Sequence, residues 1–263
     1  MQFSKYQESV FDFAANKNGN ATVEAVAGSG KTTTAMEMIL RVSGIYQGLF
    51  TSFTNNIVDT MKQKLIHNSV GNVEARNYNS FGASILSRNM RFKLNKYKTD
   101  SIFRNVVMNE SLYYKFKGPM SRIVSICKSL AIMDTAILVK KYDEIIDYYD
   151  IDIPKGMNFK QVLIEVYEHS LRDRMFIDFD DQKLFPLLYD LKIPQYDFIV
   201  IDEYQDTCPV ESELMLRACR LGRIFIYGDS NQAIYSFKGT EPNSMKEFTN
   251  LYKATTLPLS ICY

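Results

Sequence analysis

Two rhythms of hydrophobic positions alternate along the first third and the last third of the chain. Ala21–Val26, Leu49–Phe53, Phe198–Glu203 and Arg223–Asp229 are short, nearly unbroken apolar runs, the pattern of strands buried on both faces. Asn72–Arg76 predicts a further short strand. Between them apolar residues recur at helical spacing: Lys5–Ala15, Thr33–Val42, Ile57–Ile66, the stretch through Phe81, Ile85 and Leu86, and one beginning near Pro209 with Leu214 and Leu216. Thr54-Asn55-Asn56 and Asn79-Ser80 are placed to cap two of these helices. Strand and helix in alternation imply a parallel sheet with helical crossovers, an α/β fold. From about residue 88 to 174 the strand signal disappears. Ser101–Phe116, Ser121–Met133, Ile137–Tyr149 and Phe159–Leu171 read as helices punctuated by Pro119 and Pro154, a helical insertion into the sheet domain.

The turn after the first strand carries the clearest chemistry. Ala25-Val26-Ala27-Gly28-Ser29-Gly30-Lys31-Thr32-Thr33 joins a strand to a helix, the setting of a phosphate-binding loop. Glycines at 28 and 30 let backbone N–H groups turn inward around an anion, and the helix beginning near Lys31 adds its positive end. Lys31 can reach β- and γ-phosphates, and the Thr32 hydroxyl can ligate Mg²⁺. Ala25 stands where the strict pattern opens with glycine. In a parallel sheet ligands sit at the carboxyl ends of the strands, where Gly28, Thr54 and Asn79 all fall. Asp202 and Glu203 end another strand. The first can hold a metal's hydration shell and the second can act as general base on water. Gln232, beyond the next strand and close to Asp229, could touch both γ-phosphate and the attacking water. Gln7 could read an adenine edge through its carboxamide.

Composition narrows the context. Hydrophobic residues make up 46% and charged residues 23% of the 263, with a net charge of +1, ordinary values for a globular protein. The charge is unevenly spread. Arg88–Lys128 holds ten Lys/Arg against two Asp/Glu, and Asp134–Asp181 holds twelve Asp/Glu against six Lys/Arg. The basic stretch also carries Phe92, Tyr97, Phe103, Tyr113, Tyr114 and Phe116, an interleaving that suits a nucleic-acid strand and equally a solvated helical surface with core aromatics. The four cysteines form no Cys-x-x-Cys pair and read as thiols of a reducing compartment. The most apolar stretch, Ile123–Val139, is interrupted by Lys128 and Asp134. No membrane span is expected, and the expected location is cytoplasmic.

Val200-Ile201-Asp202-Glu203-Tyr204-Gln205-Asp206-Thr207 resembles the second motif of superfamily 1A helicases of the UvrD/Rep/PcrA type, and Tyr227–Gly239 resembles their third. Phe53-Thr54-Asn55, Asn77–Phe81, Asp178–Asp181 and Phe3–Val10 resemble shorter motifs of that family, in family order. The resemblance implies a RecA-like ATP-binding P-loop NTPase domain, 1A, at residues 1–87 and 175–263, and a 1B-like helical insertion at 88–174. It implies ATP and Mg²⁺ as cofactors and single-stranded DNA as partner. Gln7 would read adenine and residues 25–33 would hold ATP. Thr32 and Asp202 would serve the metal, and Lys31, Glu203 and Gln232 would serve hydrolysis. Phe53, Thr54, Asn55, Asn79, Ser80, Phe81, Tyr235, Phe237 and Lys238 would meet DNA. Thr33, Asn56, Asn79, Phe237 and Lys238 depart from the residues usual in the family. Leu257–Tyr263 resembles the opening of motif IV, and the chain stops where an arginine is expected. It therefore reads as the N-terminal half of a split or truncated helicase that needs a second motor domain. Its full-length activity would be 3′–5′ translocation and unwinding. Two other readings stand beside this one: a nucleotide-dependent single-strand-binding module that unwinds nothing, and a P-loop enzyme acting on small molecules. Nothing in the sequence sets the oligomeric state.

Overall fold

The computed structural model of the chain describes residues 3–16, 19–26, 28–42, 44, 46–232 and 243–260. Its elements run α1 (Lys5–Asn16), β1 (Ala21–Ala25), α2 (Lys31–Val42), β2 (Gly48–Thr51), α3 (Asn55–His67), β3 (Val73–Arg76) and α4 (Tyr78–Asn89). Then come β4 (Lys93–Leu94), α5 (Lys98–Val107), α6 (Glu110–Ser129), α7 (Thr135–Tyr148), α8 (Phe159–Arg172), β5 (Phe176–Ile177) and α9 (Phe179–Leu188). The last group is β6 (Phe198–Ile201), α10 (Pro209–Ala218), β7 (Ile224–Gly228), α11 (Ser244–Leu251) and β8 (Thr255–Leu259). By compactness the chain divides into two units, one reaching Phe81 and resuming at Ile193, the other Gly82–Lys192.

The first unit is built on a six-stranded sheet in the order β3-β2-β6-β7-β1-β8. Every pairing is parallel, so all six carboxyl ends open on the same edge. One face carries the main core. Phe50, Val200, Phe225, Tyr227 and Val23 pack there against Val10 and Phe11 of α1, Ala35, Met38 and Ile39 of α2, and Val58 and Met61 of α3. On the opposite face the Thr22 hydroxyl hydrogen-bonds the Thr249 hydroxyl of α11 at 2.7 Å. The α/β fold with helices on both faces of a parallel sheet is therefore observed. Elements α11 and β8 lie beyond the expected pattern. The β8 strand pairs with β1 and reads TTLPL, with exposed positions early in the strand, too weak an apolar run to announce an edge strand.

The second unit is mostly helical, with three departures from expectation. The helix expected over Ser101–Phe116 is two helices. Met108 takes a left-handed backbone (φ +48°) and ends α5, and the Asn109 side chain accepts from the Leu112 N–H at 3.0 Å to start α6. Apolar periodicity continues across such a break, so it hides it. Pro119 lies inside α6 rather than between helices. Burial of Phe116, Met120, Ile123 and Val124 around it outweighs the helix penalty of about 3 kcal/mol. A two-strand ribbon, β4 with β5, interrupts the helices, each strand too short to register as alternation. In the first unit, the cap of α4 also differs from expectation. Asn77 Oδ1 accepts from the Ser80 N–H at 2.7 Å, so the cap is Asn77 and not Asn79-Ser80.

Charge lies at the centre of this helical unit. Lys98 and Lys128 are both fully buried. The Lys98 ammonium donates to Asp181 Oδ2 at 2.7 Å and to the Ser170 carbonyl at 2.7 Å. The Lys128 ammonium donates to Asp178 Oδ2 at 2.6 Å and pairs with Asp181 Oδ1 at 2.8 Å. Asp178 and Asp181 also form the capping box of α9. These pairs are why residues 178–188 belong with this unit. Burial acts against the Lys128 charge, but Asp181 and Asp178 more than offset it and hold the ammonium above the usual lysine range. Among the described residues no helix is long and apolar enough to cross a membrane.

Removing one partner of a buried ion pair leaves its counter-charge uncompensated, at a cost of about 3–5 kcal/mol. Lys128→Ala is expected to lower stability by that order, read from the urea midpoint. Lys62→Ala, which breaks the exposed Lys62–Asp59 pair, should change it by less than about 1 kcal/mol.

Candidate active site

Strand β1 ends at Ala25, and the chain turns through a loop into α2, which begins at Lys31. Gly28 and Gly30 take φ of +76° and +77°, the left-handed conformation that side chains resist. The Ser29 N–H donates to the Val26 carbonyl at 3.2 Å, and the Thr34 N–H to the Gly30 carbonyl at 2.9 Å. Thr32 and Thr33 lie in the first turn of α2, whose free N–H groups favour an anion. The Ser29 hydroxyl is buried with no hydrogen-bond partner. A loop with two glycines at positive φ, a helix N-terminus and an orphaned polar atom fits a phosphate group. Ala27 lies outside the described residues.

Strand β6 delivers two consecutive carboxylates to the same edge. Asp202 is buried, its N–H donating to the Thr51 carbonyl at 2.9 Å and its Oδ1 accepting from the Glu203 N–H at 3.1 Å. Burial, with Glu203 adding to it, pushes the Asp202 carboxyl up to about 7, while Lys31 and the Glu203 amide act the other way. A carboxylate this poorly compensated fits a divalent cation. Among the described residues no group of three or more His, Cys, Asp or Glu could hold a metal, and Mg²⁺, which keeps much of its water, requires none. Glu203 takes a left-handed backbone, φ +53° and ψ +48°, which costs a non-glycine residue on the order of 1–2 kcal/mol. The turn aims its side chain at Lys31, whose Nζ donates to Glu203 Oε2 at 2.8 Å.

Gln205 extends this contact. Its Nε2 also donates to Glu203 Oε2 at 2.8 Å, and its Oε1 accepts from the Asp229 N–H at 3.3 Å, beyond β7. Asp229 Oδ2 accepts from Gln232 Nε2 at 2.8 Å. Lys31, Glu203, Gln205, Asp229 and Gln232 thus form one continuous chain of hydrogen bonds across the strand ends. The sequence alone assigns Gln205 no role. Its partner Asp229 follows a distant strand, so neighbouring sequence holds no sign of the contact. Gln7 is buried and already engaged: its Nε2 donates to Thr34 Oγ1 at 3.0 Å and its Oε1 accepts from the Ser4 N–H at 3.0 Å.

The residues assigned to DNA are placed unequally. Phe53 is 37% exposed. Thr54 makes no side-chain cap to α3, and Asn55 Oδ1 accepts from Asn77 Nδ2. Ser80 is exposed and Asn79 half-buried. Phe81 is buried against Tyr196, so its ring is spent on packing and offers no outward face. Tyr235, Phe237 and Lys238 lie outside the described residues.

Residues 7–253 match the family described as UvrD/REP helicase N-terminal domain. The chain belongs to that family. It is 26% identical to the ATP-dependent DNA helicase PcrA of Staphylococcus aureus over 93% of its own length and 36% of that protein. It is 29% identical to DNA helicase II of Haemophilus influenzae over 41% of its length and 13% of that protein. The chain therefore spans about a third of the length of the PcrA relative, over that relative's N-terminal part.

Gly228 sets how closely Gln205 can approach. A Cβ at 228 would stand 2.3 Å from Gln205 Oε1 and 2.7 Å from Met245 Sδ. Gly228→Ala is expected to cost about 1–3 kcal/mol, as overpacking does. Combined with Gln205→Ala it should cost clearly less than the sum of the two single changes, as measured by chemical denaturation of all three variants.

Proposed function

We propose that this chain is the ATP-binding motor domain of a DNA helicase, binding Mg-ATP and single-stranded DNA. In the full-length enzyme it would couple hydrolysis to 3′–5′ translocation and unwinding. The observation that carries the reading is the 2.8 Å contact of Lys31 with Glu203. It brings the lysine of the glycine loop and the carboxylate of a distant strand to one point. In the proposed cycle, residues 25–33 wrap the phosphates and Lys31 exchanges Glu203 for a phosphate oxygen. Glu203, released from the lysine but still held by Gln205, accepts a proton from the attacking water. Gln205 and Asp229 tie that carboxylate to Gln232, which senses the γ-phosphate. Thr32 and Asp202 would hold Mg²⁺, which supplies charge neutralisation at the phosphates. Gln7 fixes Thr34 at the first turn of α2 and would meet adenine after exchanging partners. Single-stranded DNA would cross the strand ends near Phe53, Asn55, Tyr235 and Phe237, with base–aromatic stacking contributing roughly 1–3 kcal/mol per base.

A second reading, a nucleotide-dependent DNA-binding module with little turnover, has its own support. All five arginines of the first unit are held elsewhere: Arg41 by Glu37, Arg76 by Glu74, Arg217 by Glu213, Arg220 by Asp197 and Arg223 by the Ala14 carbonyl. An arginine acting on the transferred phosphate accounts for roughly 10³–10⁵ in rate. The chain alone is therefore expected to bind Mg-ATP and turn over slowly, below the ordinary enzyme range of roughly 1–10³ s⁻¹. Steady-state ATPase with and without single-stranded DNA tests both readings. Stimulation by DNA supports a motor, binding without turnover supports the module, and indifference to DNA sinks both.

Separable roles lead to a paired expectation. Lys31→Ala should abolish nucleotide binding, whereas Glu203→Gln should leave binding intact and stop turnover. Nucleotide titration of the two variants checks this, and an equal loss of affinity would show the roles are not divided between them.

A further inference from the structure

Phe50 of β2, Val200 of β6 and Phe225 of β7 are side by side in register, on the face that α1, α2 and α3 cover. Side chains two apart on a strand share a face. The next row toward the carboxyl ends is therefore Ser52, Asp202 and Tyr227, and the Asp202 N–H bond to the Thr51 carbonyl carries the β2–β6 pairing up to it. Val23, the register partner of Tyr227 on β1, closes the row on one side.

All three polar members of the row are buried, Ser52 and Tyr227 completely. Neither hydroxyl has a hydrogen-bond partner. Buried hydroxyls are seldom left so, because an unmade bond forfeits the water each gave up. They flank one acceptor, the Asp202 carboxylate. Among the described residues that carboxylate accepts one hydrogen bond, from the Glu203 N–H. A phenol keeps its proton at neutral pH and so stays a donor.

We propose that Tyr227 and Ser52 are positioning residues for Asp202, their hydroxyls holding its carboxylate from both sides through enclosed water. Held in this way, the carboxylate keeps a fixed orientation toward the cation, as outer partners do for other metal-ligating groups. This inference rests on the proposed role of Asp202 in holding Mg²⁺, and extends it to two residues whose side chains are buried from solvent.

The test uses Mn²⁺ as a probe. Free Mn²⁺ is followed by paramagnetic resonance while it titrates the chain with a non-hydrolysable ATP analogue, and analogue affinity is measured separately in chelator. Tyr227→Phe and Ser52→Ala should each weaken Mn²⁺ binding about 10–100-fold, leave metal-free analogue affinity unchanged, and keep the wild-type circular dichroism. Ser52→Thr, which restores a hydroxyl, should recover the affinity. Unchanged Mn²⁺ affinity in both Tyr227→Phe and Ser52→Ala overturns the proposal, even if either variant is less stable. A wild-type chain that binds neither analogue nor Mn²⁺ would instead bring down the functional reading on which the proposal stands.

Discussion

The ion pair between Lys31 and Glu203 is the constraint around which the sheet domain is arranged. The two residues are 172 positions apart, and only the strand order brings them together. Strands β6 and β7 come late in the chain and yet insert between β2 and β1. Parallel pairing then guarantees that the phosphate loop after β1 and the carboxylates after β6 emerge at the same edge. The left-handed backbone at Glu203 is part of that arrangement. Asp202 continues the strand and stays buried on the α1–α3 face, and the backward turn swings the next side chain out toward the glycine loop. Two consecutive carboxylates are thereby given different surroundings, one dry, the other partly open beside a lysine.

Much of this was legible in sequence, for a physical reason. Buried parallel strands must be apolar on both faces, so β1, β2, β6 and β7 announce themselves, and a phosphate loop requires small residues in fixed order. What the sequence hides depends on contacts between remote segments. Gln205 looks like any surface glutamine until Gly228 leaves room for it. Phe81 looks like an aromatic available for stacking until Tyr196 covers it. The apolar spacing stays helical through both Met108 and Pro119: buried neighbours carry the helix past Pro119, whereas the break at exposed Met108 is local, made by its left-handed backbone and the Asn109 cap.

The helical unit solves a different problem. Its sequence is basic in one half and acidic in the other, which suggested a surface charge pattern. Part of that pattern is internal. Lys98 and Lys128 come from the basic stretch, Asp178 and Asp181 from the acidic one, and they meet out of solvent. An apolar core tolerates many alternative packings, whereas two ammonium groups and two carboxylates with no water available have few satisfactory arrangements. The cluster also ends on the N-terminus of α9, where the same aspartates cap the helix, so pairing with the lysines fixes where α9 begins. The basic and aromatic residues left at the surface, such as Tyr114 beside Lys117, are therefore fewer than composition suggests.

Polar burial in the sheet domain follows a contrasting logic. In the helical unit each buried ammonium finds a carboxylate. At the strand ends several buried groups lack partners: the hydroxyls of Ser29, Ser52 and Tyr227, around a carboxylate whose pKa burial has raised. A structural core leaves few such groups unsatisfied, because each one costs about 1–3 kcal/mol. These three stand together at one edge, beside glycines at positive φ and a non-glycine in the left-handed region, and mark a place where the fold accepts local instability. Strain and unmade hydrogen bonds gathered together are the features that a bound polyanion with its cation would relieve. The same features in separate parts of the protein would carry no such meaning.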